Sequence, residues 1–124
     1  MEGAPTRWRQ GRPSARSPRV TPEQRLEAFR KIVERSPDDP FARYSLAMGN
    51  RGAGRLAEAV AGFEELARRV PGYVATYLMW GQTLEQLDRG SDAASVYDRG
   101  IRVAREAGNG HALSELTQAR EALG

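Results

Sequence analysis

A spacing of 34 residues runs through this chain: Ala59, Phe63 and Pro71 are answered by Ala93, Tyr97 and Arg105, and Phe29 and Pro37 precede Phe63 and Pro71 at the same offset. A period of this length fits a pair of antiparallel helices with their two turns. One such unit cannot bury its own apolar face, so units of this kind stack on one another. The echo at Phe29 and Pro37 predicts a half-repeat ahead of two full ones.

The local signals agree with a chain of short helices. Thr21-Pro22-Glu23-Gln24 is a capping signature, in which the threonine hydroxyl can accept from the Gln24 amide, Pro22 suits the first helical position and Gln24 can reach back. It opens a helix to about Ser36 with Leu26, Phe29, Ile32 and Val33 on one stripe. Asp39-Pro40 repeats the cap-then-proline logic for a second helix through Phe41, Tyr44, Leu46, Ala47 and Met48, closed by Gly52 and Gly54. A third carries Leu56, Ala59, Val60, Phe63, Leu66, Ala67 and Val70 and stops at Pro71-Gly72. Val74, Tyr77, Trp80, Gly81, Leu84 and Leu87 make a fourth. Asp88 to Ser91 are expected to turn, and Ala93, Ala94, Tyr97, Ile101 and Ala104 make a fifth. After Gly108-Asn109-Gly110, a last helix puts Leu113, Leu116, Ala119 and Leu123 inward and Ser114, Glu115, Gln118 and Glu121 outward, the polar outer face required of a solenoid's end.

The expected architecture is therefore all-α: stacked antiparallel helical hairpins, about six helices, with a C-terminal capping helix. Residues 1–20 form a separate Arg/Pro-rich tail expected to be disordered, since Pro5, Pro13 and Pro18 interrupt it and no apolar period runs through it. Residues 21–124 form the repeat domain, divided into a half-repeat 21–38, repeats 40–73 and 74–107, and the capping helix 109–123.

Charge has to be divided the same way. The net +3 comes from the tail, where Arg7, Arg9, Arg12, Arg16 and Arg19 against Glu2 give +4, so the rest of the chain is close to neutral at −1. Lys31 is the single lysine beside 18 arginines, a bias spread along the whole chain that reflects base composition more simply than a binding face. Arg7-Trp8-Arg9 does combine charge with a stacking aromatic, as single-strand nucleic-acid binders do. No fold-level nucleic-acid motif accompanies it, so nucleic-acid contact is confined to the tail and ranks below a protein partner. No apolar run approaches the length of a membrane span and the N-terminus lacks a secretory core, so a cytoplasmic protein is expected.

The spacing of particular residues resembles the tetratricopeptide repeat family, whose units carry an aromatic, a large apolar and a small residue on the first helix, then a small residue, an aromatic and a proline on the second. Tyr77, Trp80, Gly81, Leu84, Ala93 and Tyr97 match it in one unit, and Leu46, Ala47, Gly54, Ala59, Phe63 and Pro71 in the other. Ala47, Gly81, Ala59 and Ala93 stand where the two helices of a hairpin cross, where a larger side chain would hold the axes apart. Arg43 and Asn50 depart from the pattern at positions usually aromatic. Arg105 replaces the closing proline, so the last hairpin is expected to run longer. Gly100-Ile101, Ala104, Gly108, Ser114-Glu115-Leu116 and Ala119 look like the closing segment of small bacterial members.

The resemblance implies an interaction module whose concave groove is lined by the first helix of each hairpin. Carried over position by position, the partner-binding groove takes Phe41, Tyr44, Met48 and Arg51 from one unit and Ala75, Leu78, Gln82 and Glu85 from the other. Members that hold chaperone carboxyl termini use lysine, asparagine and arginine there. The apolar character of Tyr44, Met48 and Leu78 favours instead an extended or helical segment with apolar anchors. Met79 is expected in the core, beneath a neighbouring helix. The partner is a protein or peptide, and a homo-oligomer is the alternative, since two and a half repeats leave groove or end surface to be covered.

Chemistry is not expected. The chain has one histidine, His111, and no cysteine, which excludes a thiolate site, a triad or an imidazole-rich metal centre within one copy. The carboxylates lie beside arginines three or four residues away, as solvated helix faces do. Gly52-Ala53-Gly54 and Gly108-Asn109-Gly110 lack the strand, lysine and hydroxyl of a phosphate loop and are turns. No catalytic residue, metal or cofactor is assigned.

Overall fold

A computed structural model describes residues 19–124 of the chain. Among the described residues six helices follow one another, α1 (Pro22–Arg35), α2 (Pro40–Gly52), α3 (Leu56–Arg69), α4 (Ala75–Gln86), α5 (Gly90–Glu106) and α6 (Gly110–Ala122). The expected tail falls outside the described residues except for Arg19 and Val20, both exposed.

Each start has a chemical cause where the sequence supplies one. Thr21 Oγ1 accepts from the Gln24 amide at 3.1 Å while Gln24 Oε1 accepts from the Thr21 amide at 2.9 Å, which satisfies two donors that no turn of α1 could reach. Asp39 Oδ1 accepts from the amides of Phe41 and Ala42 at 3.0 and 3.2 Å, and Asn109 Oδ1 accepts from Ala112 at 3.0 Å. Helices α3, α4 and α5 have no side-chain cap, so their ends depend on tertiary packing.

The turns inside the two hairpins are copies of each other. Gly54 has φ 80° and Asp88, 34 residues on, has φ 58°. Behind them the Arg55 amide donates to the Asn50 carbonyl at 2.8 Å and the Arg89 amide to the Leu84 carbonyl at 2.9 Å. The second turn is tighter than the sequence reading, because α5 begins at Gly90 rather than after Ser91. With no proline at position 105, α5 extends over 17 residues against 14 for α3.

Neighbouring helices pack in order, α1 on α2, α2 on α3, and so on to α6, with α4 also touching α2 and α6. Small residues set the approach. Ala47, Ala59 and Ala93 are buried at the crossings. At Gly81 a Cβ would lie 2.2 Å from Cε1 of Tyr97, and at Gly100 it would lie 2.5 Å from Cβ of Tyr77. The absent side chains are what let Tyr97 and Tyr77 bury their rings completely. The apolar core runs the length of the stack through Phe63, Tyr77, Trp80, Leu84, Tyr97 and Leu116. Leu26 extends it to the N-terminal end against α2, and its Cδ2 occupies the space a Cβ at Gly49 would need.

Candidate partner-binding groove

Helices α2, α4 and α6 share one face, and two depressions lie along it. The first, of 220 Å³, is lined by Tyr44, Val74, Ala75, Leu78, Met79, Ala112, Glu115 and Leu116. The second, of 450 Å³, is lined by Arg51, Gln82, Glu85, Gln86, Tyr97, Ala119 and Ala122. On α4 the residues 75, 78, 79, 82, 85 and 86 follow the three-and-four spacing of a single helix face, so the two depressions are the N-terminal and C-terminal halves of one groove.

The 34-residue period organises it. Tyr44, Leu78 and Ala112 are equivalent positions of α2, α4 and α6, and all three line the first depression. Arg51, Glu85 and Ala119 are equivalent in the same way and line the second. A stack of equal units places equivalent side chains in a row, and here each row holds three different side chains.

The first half is apolar and held in place. The Tyr44 ring lies 6.1 Å from Phe63 and 5.8 Å from Tyr73, the latter edge-on, geometries that aromatic quadrupoles favour. Its hydroxyl is pushed above the ordinary phenol range by burial, with the neighbouring Tyr73 adding to the shift. The second half is polar. Arg51 Nε donates to Gln86 Oε1 at 3.0 Å and Nη1 points at the Met79 sulfur at 3.5 Å, with no carboxylate within ion-pair distance among the described residues. The buried Tyr97 hydroxyl donates to Glu85 Oε2. Burial, then that hydrogen bond, raises the Tyr97 pKa well above its usual value, so the ring is neutral and fixed and Glu85 is held at the groove wall.

Of the residues placed in the groove from sequence, Tyr44, Arg51, Ala75, Leu78, Gln82 and Glu85 line it. Met48 is half-buried against the core, and Phe41, on the first turn of α2, is 65% exposed; neither lines either of these two depressions. Met79, expected in the core, is half-buried: it packs against the core as Met48 does, while its sulfur faces Arg51 and it forms part of the groove wall. Ala112, Glu115, Ala119 and Ala122 line it as well, so α6, expected from the sequence as a cap with a polar outer face, is also a third groove wall. The signal was present, since the offset that links Tyr44 to Leu78 links Leu78 to Ala112.

Outside the groove, His111 is exposed with its Nε2 3.4 Å from Glu115 Oε1. No group of three or more His, Cys, Asp or Glu among the described residues could hold a metal ion, and no described helix is long and apolar enough to cross a membrane.

No family model and no curated protein matches the chain. Solved structures do. A solution NMR structure of a tetratricopeptide repeat domain protein from Salinibacter ruber is 44% identical, with a TM-score of 0.68, over 71% of this chain and 89% of that one. A crystal structure of a tetratricopeptide repeat domain protein from Salinibacter ruber is 45% identical, with a TM-score of 0.65, over 68% of this chain and 94% of that one. With six stacked helices, small residues at the crossings and this identity over nearly the whole of each relative, the chain belongs to the tetratricopeptide repeat family, among its small bacterial members.

Proposed function

We propose that the protein is a non-catalytic adaptor or assembly factor, cytoplasmic, that holds a segment of a protein partner in the groove of α2, α4 and α6. The family supports an interaction module in general. The observation that carries the finer reading is the row Tyr44, Leu78, Ala112: three helices present equivalent side chains to one apolar depression, and the residues tapering from tyrosine to alanine leave space at the α6 side. A partner segment lays apolar side chains on Tyr44, Leu78 and Met79, which give adaptable contact area, and extends toward Arg51, Gln82 and Gln86, whose polar groups fix its direction.

Affinity capture from the native lysate with the intact chain and with Tyr44→Glu/Leu78→Glu tests this. Both side chains are only partly buried, so the double variant is expected to keep its helical circular dichroism while losing the partner, with affinity lower by at least about a hundredfold for two hot-spot positions. A folded double variant that retains every partner would remove the groove reading.

A further inference from the structure

We infer that the free flank of α1 is a self-association surface, on which the α1 of a second copy packs antiparallel to give a two-fold dimer. This is independent of the groove, since no residue of α1 lines either of its depressions.

Three helices share one register. Phe29, Phe63 and Tyr97 are equivalent positions of α1, α3 and α5, and Ile32 is the counterpart of Leu66. Helix α3 is packed between α2 and α4, and α5 between α4 and α6, whereas α1 touches α2 alone among the described helices. The exposure follows. Phe63, Tyr97 and Leu66 are 0% exposed, but Phe29 is only half-buried and Ile32 is 37% exposed. The flank of α1 that its counterparts cover with a second helix is open, and a depression of 390 Å³ lies on it, lined by Gln24, Glu27, Ala28, Lys31, Ile32 and Arg35.

Charge selects the occupant. Those six residues form one stripe with its acidic and amide groups, Gln24 and Glu27, toward the N-terminus and its cations, Lys31 and Arg35, toward the C-terminus. Neither cation has an ion-pair partner among the described residues. An antiparallel copy sets Lys31 against the partner's Glu27 and Arg35 against the partner's Gln24, around a centre of Ala28 and Ile32 where the small alanine admits close approach. A two-fold contact requires this kind of self-complementary patch. A parallel copy would set cation on cation. The chain's own residues 1–18 fit less well, because Arg7, Arg9 and Arg12 repeat the sign of Lys31 and Arg35. The polar outer residues of α6 offer Ile32 little apolar surface.

A contact of one helix on another is small, so the dimer is weak and is sought at high concentration. Sedimentation equilibrium of the full chain, from roughly 10 μM to 1 mM, is expected to show masses rising from the 13.7 kDa monomer to a limit of twice that. Ile32→Asp should raise the dissociation constant by at least about tenfold. Lys31→Glu, which sets acid against acid, should weaken it by a similar factor, and Glu27→Lys/Lys31→Glu, which exchanges the charges but keeps them complementary, should restore it to within a few-fold of the parent. Circular dichroism is read alongside; should Ile32→Asp misfold, the two charge variants decide. A monomer throughout, growth beyond two copies, an unaffected Ile32→Asp dimer, or no restoration by the charge exchange would each overturn the inference.

Discussion

The hairpins α2–α3 and α4–α5 have the same backbone and solve the same packing problem with different chemistry. In the second, the Tyr77 hydroxyl donates to the Pro71 carbonyl at 2.6 Å, tying the start of α4 to the start of the preceding turn. In the first, Arg43 stands at the equivalent position, and its Nε donates to the carbonyl of Pro37, the equivalent of Pro71. The helix facing them changes in step. Arg99 lays its guanidinium 5.7 Å from the Tyr77 ring centre and 5.3 Å from that of Trp80, a cation over aromatic faces. At the place of Arg99, α3 has Glu65; burial first, then the nearby Arg69, lower the Arg43 pKa, and the charge of Glu65 opposes them. The first hairpin gathers Arg43, Arg68 and Arg69 around Glu65, whereas the second lays Arg99 on two aromatic rings. The departure from the aromatic pattern at Arg43 is thus a substitution of donor and charge that preserves the tie.

The widest difference between the hairpins is at the crossing. In the first, Ala47 already carries a Cβ, and Gly62 makes room for it, since a Cβ there would lie 3.2 Å from that of Ala47. In the second the glycine is on the other helix: Gly81 lies against the Tyr97 ring, with Val96 at the place of Gly62. Gly81→Ala drives a methyl into a ring that is 0% exposed and tied through its hydroxyl to Glu85. Overpacking of this kind costs about 3 kcal/mol, offset only slightly by the better helix propensity of alanine. Gly62→Ala, at the roomier crossing, should cost about 1 kcal/mol or less. Urea unfolding of the two variants measures the difference, and equal losses would mean that the crossings are equally tight.

A smaller effect, of opposite sign, is expected at Asn50. Its counterpart is Leu84, 2% exposed in the core, whereas Asn50 is 8% exposed and its Oδ1 has no hydrogen-bond partner among the described residues. An acceptor buried without a donor costs about 1–3 kcal/mol. Asn50→Leu, which copies the second hairpin into the first, should therefore raise stability by about 1–2 kcal/mol. The turn behind it is formed by the Asn50 carbonyl, which the substitution leaves in place. A loss of stability in thermal unfolding would contradict this and show that the amide is satisfied in solution.

How far these differences were legible depends on what kind of force fixes each residue. The helices and their order follow from caps and from apolar spacing, which act locally, and the capping box at Thr21 and the cap at Asp39 form as their residue types require. The small residues at the crossings were legible too, because two units written in one register show which positions stay small. The groove was legible in part: Tyr44 and Leu78 are placed there by the resemblance to the family, but Met79 is not, since half-burial depends on how far apart two neighbouring helices stand. Nor did the sequence show that Arg43 would reproduce the tie made by Tyr77. An arginine and a tyrosine share no apolar pattern, and only the geometry at Pro37 and Pro71 reveals a common donor role.

The smallest effect expected is electrostatic and belongs to the first hairpin alone. Hydrogen bonds from Arg68 and then Arg69 hold the Glu65 carboxyl down at about 2, below the ordinary glutamate value of about 4.3. A carboxyl whose folded pKa is depressed adds stability that is fully present above the unfolded pKa and is lost as pH falls through the folded one, so the loss runs from about pH 4.3 down to 2. The pairs are exposed and screened by salt, which keeps the effect slight. Glu65→Gln should flatten the acid side of a plot of urea midpoint against pH over this interval while changing little of its slope above pH 5, and added salt should shrink the difference between the two proteins. At the equivalent position the second hairpin has Arg99, which carries no carboxyl, so substituting it should leave the shape of the acid limb alone. If Arg99→Gln bends the acid limb as much as Glu65→Gln does, then the acid response belongs to the whole stack, and the division of charge chemistry in one hairpin from aromatic chemistry in the other does not hold in solution.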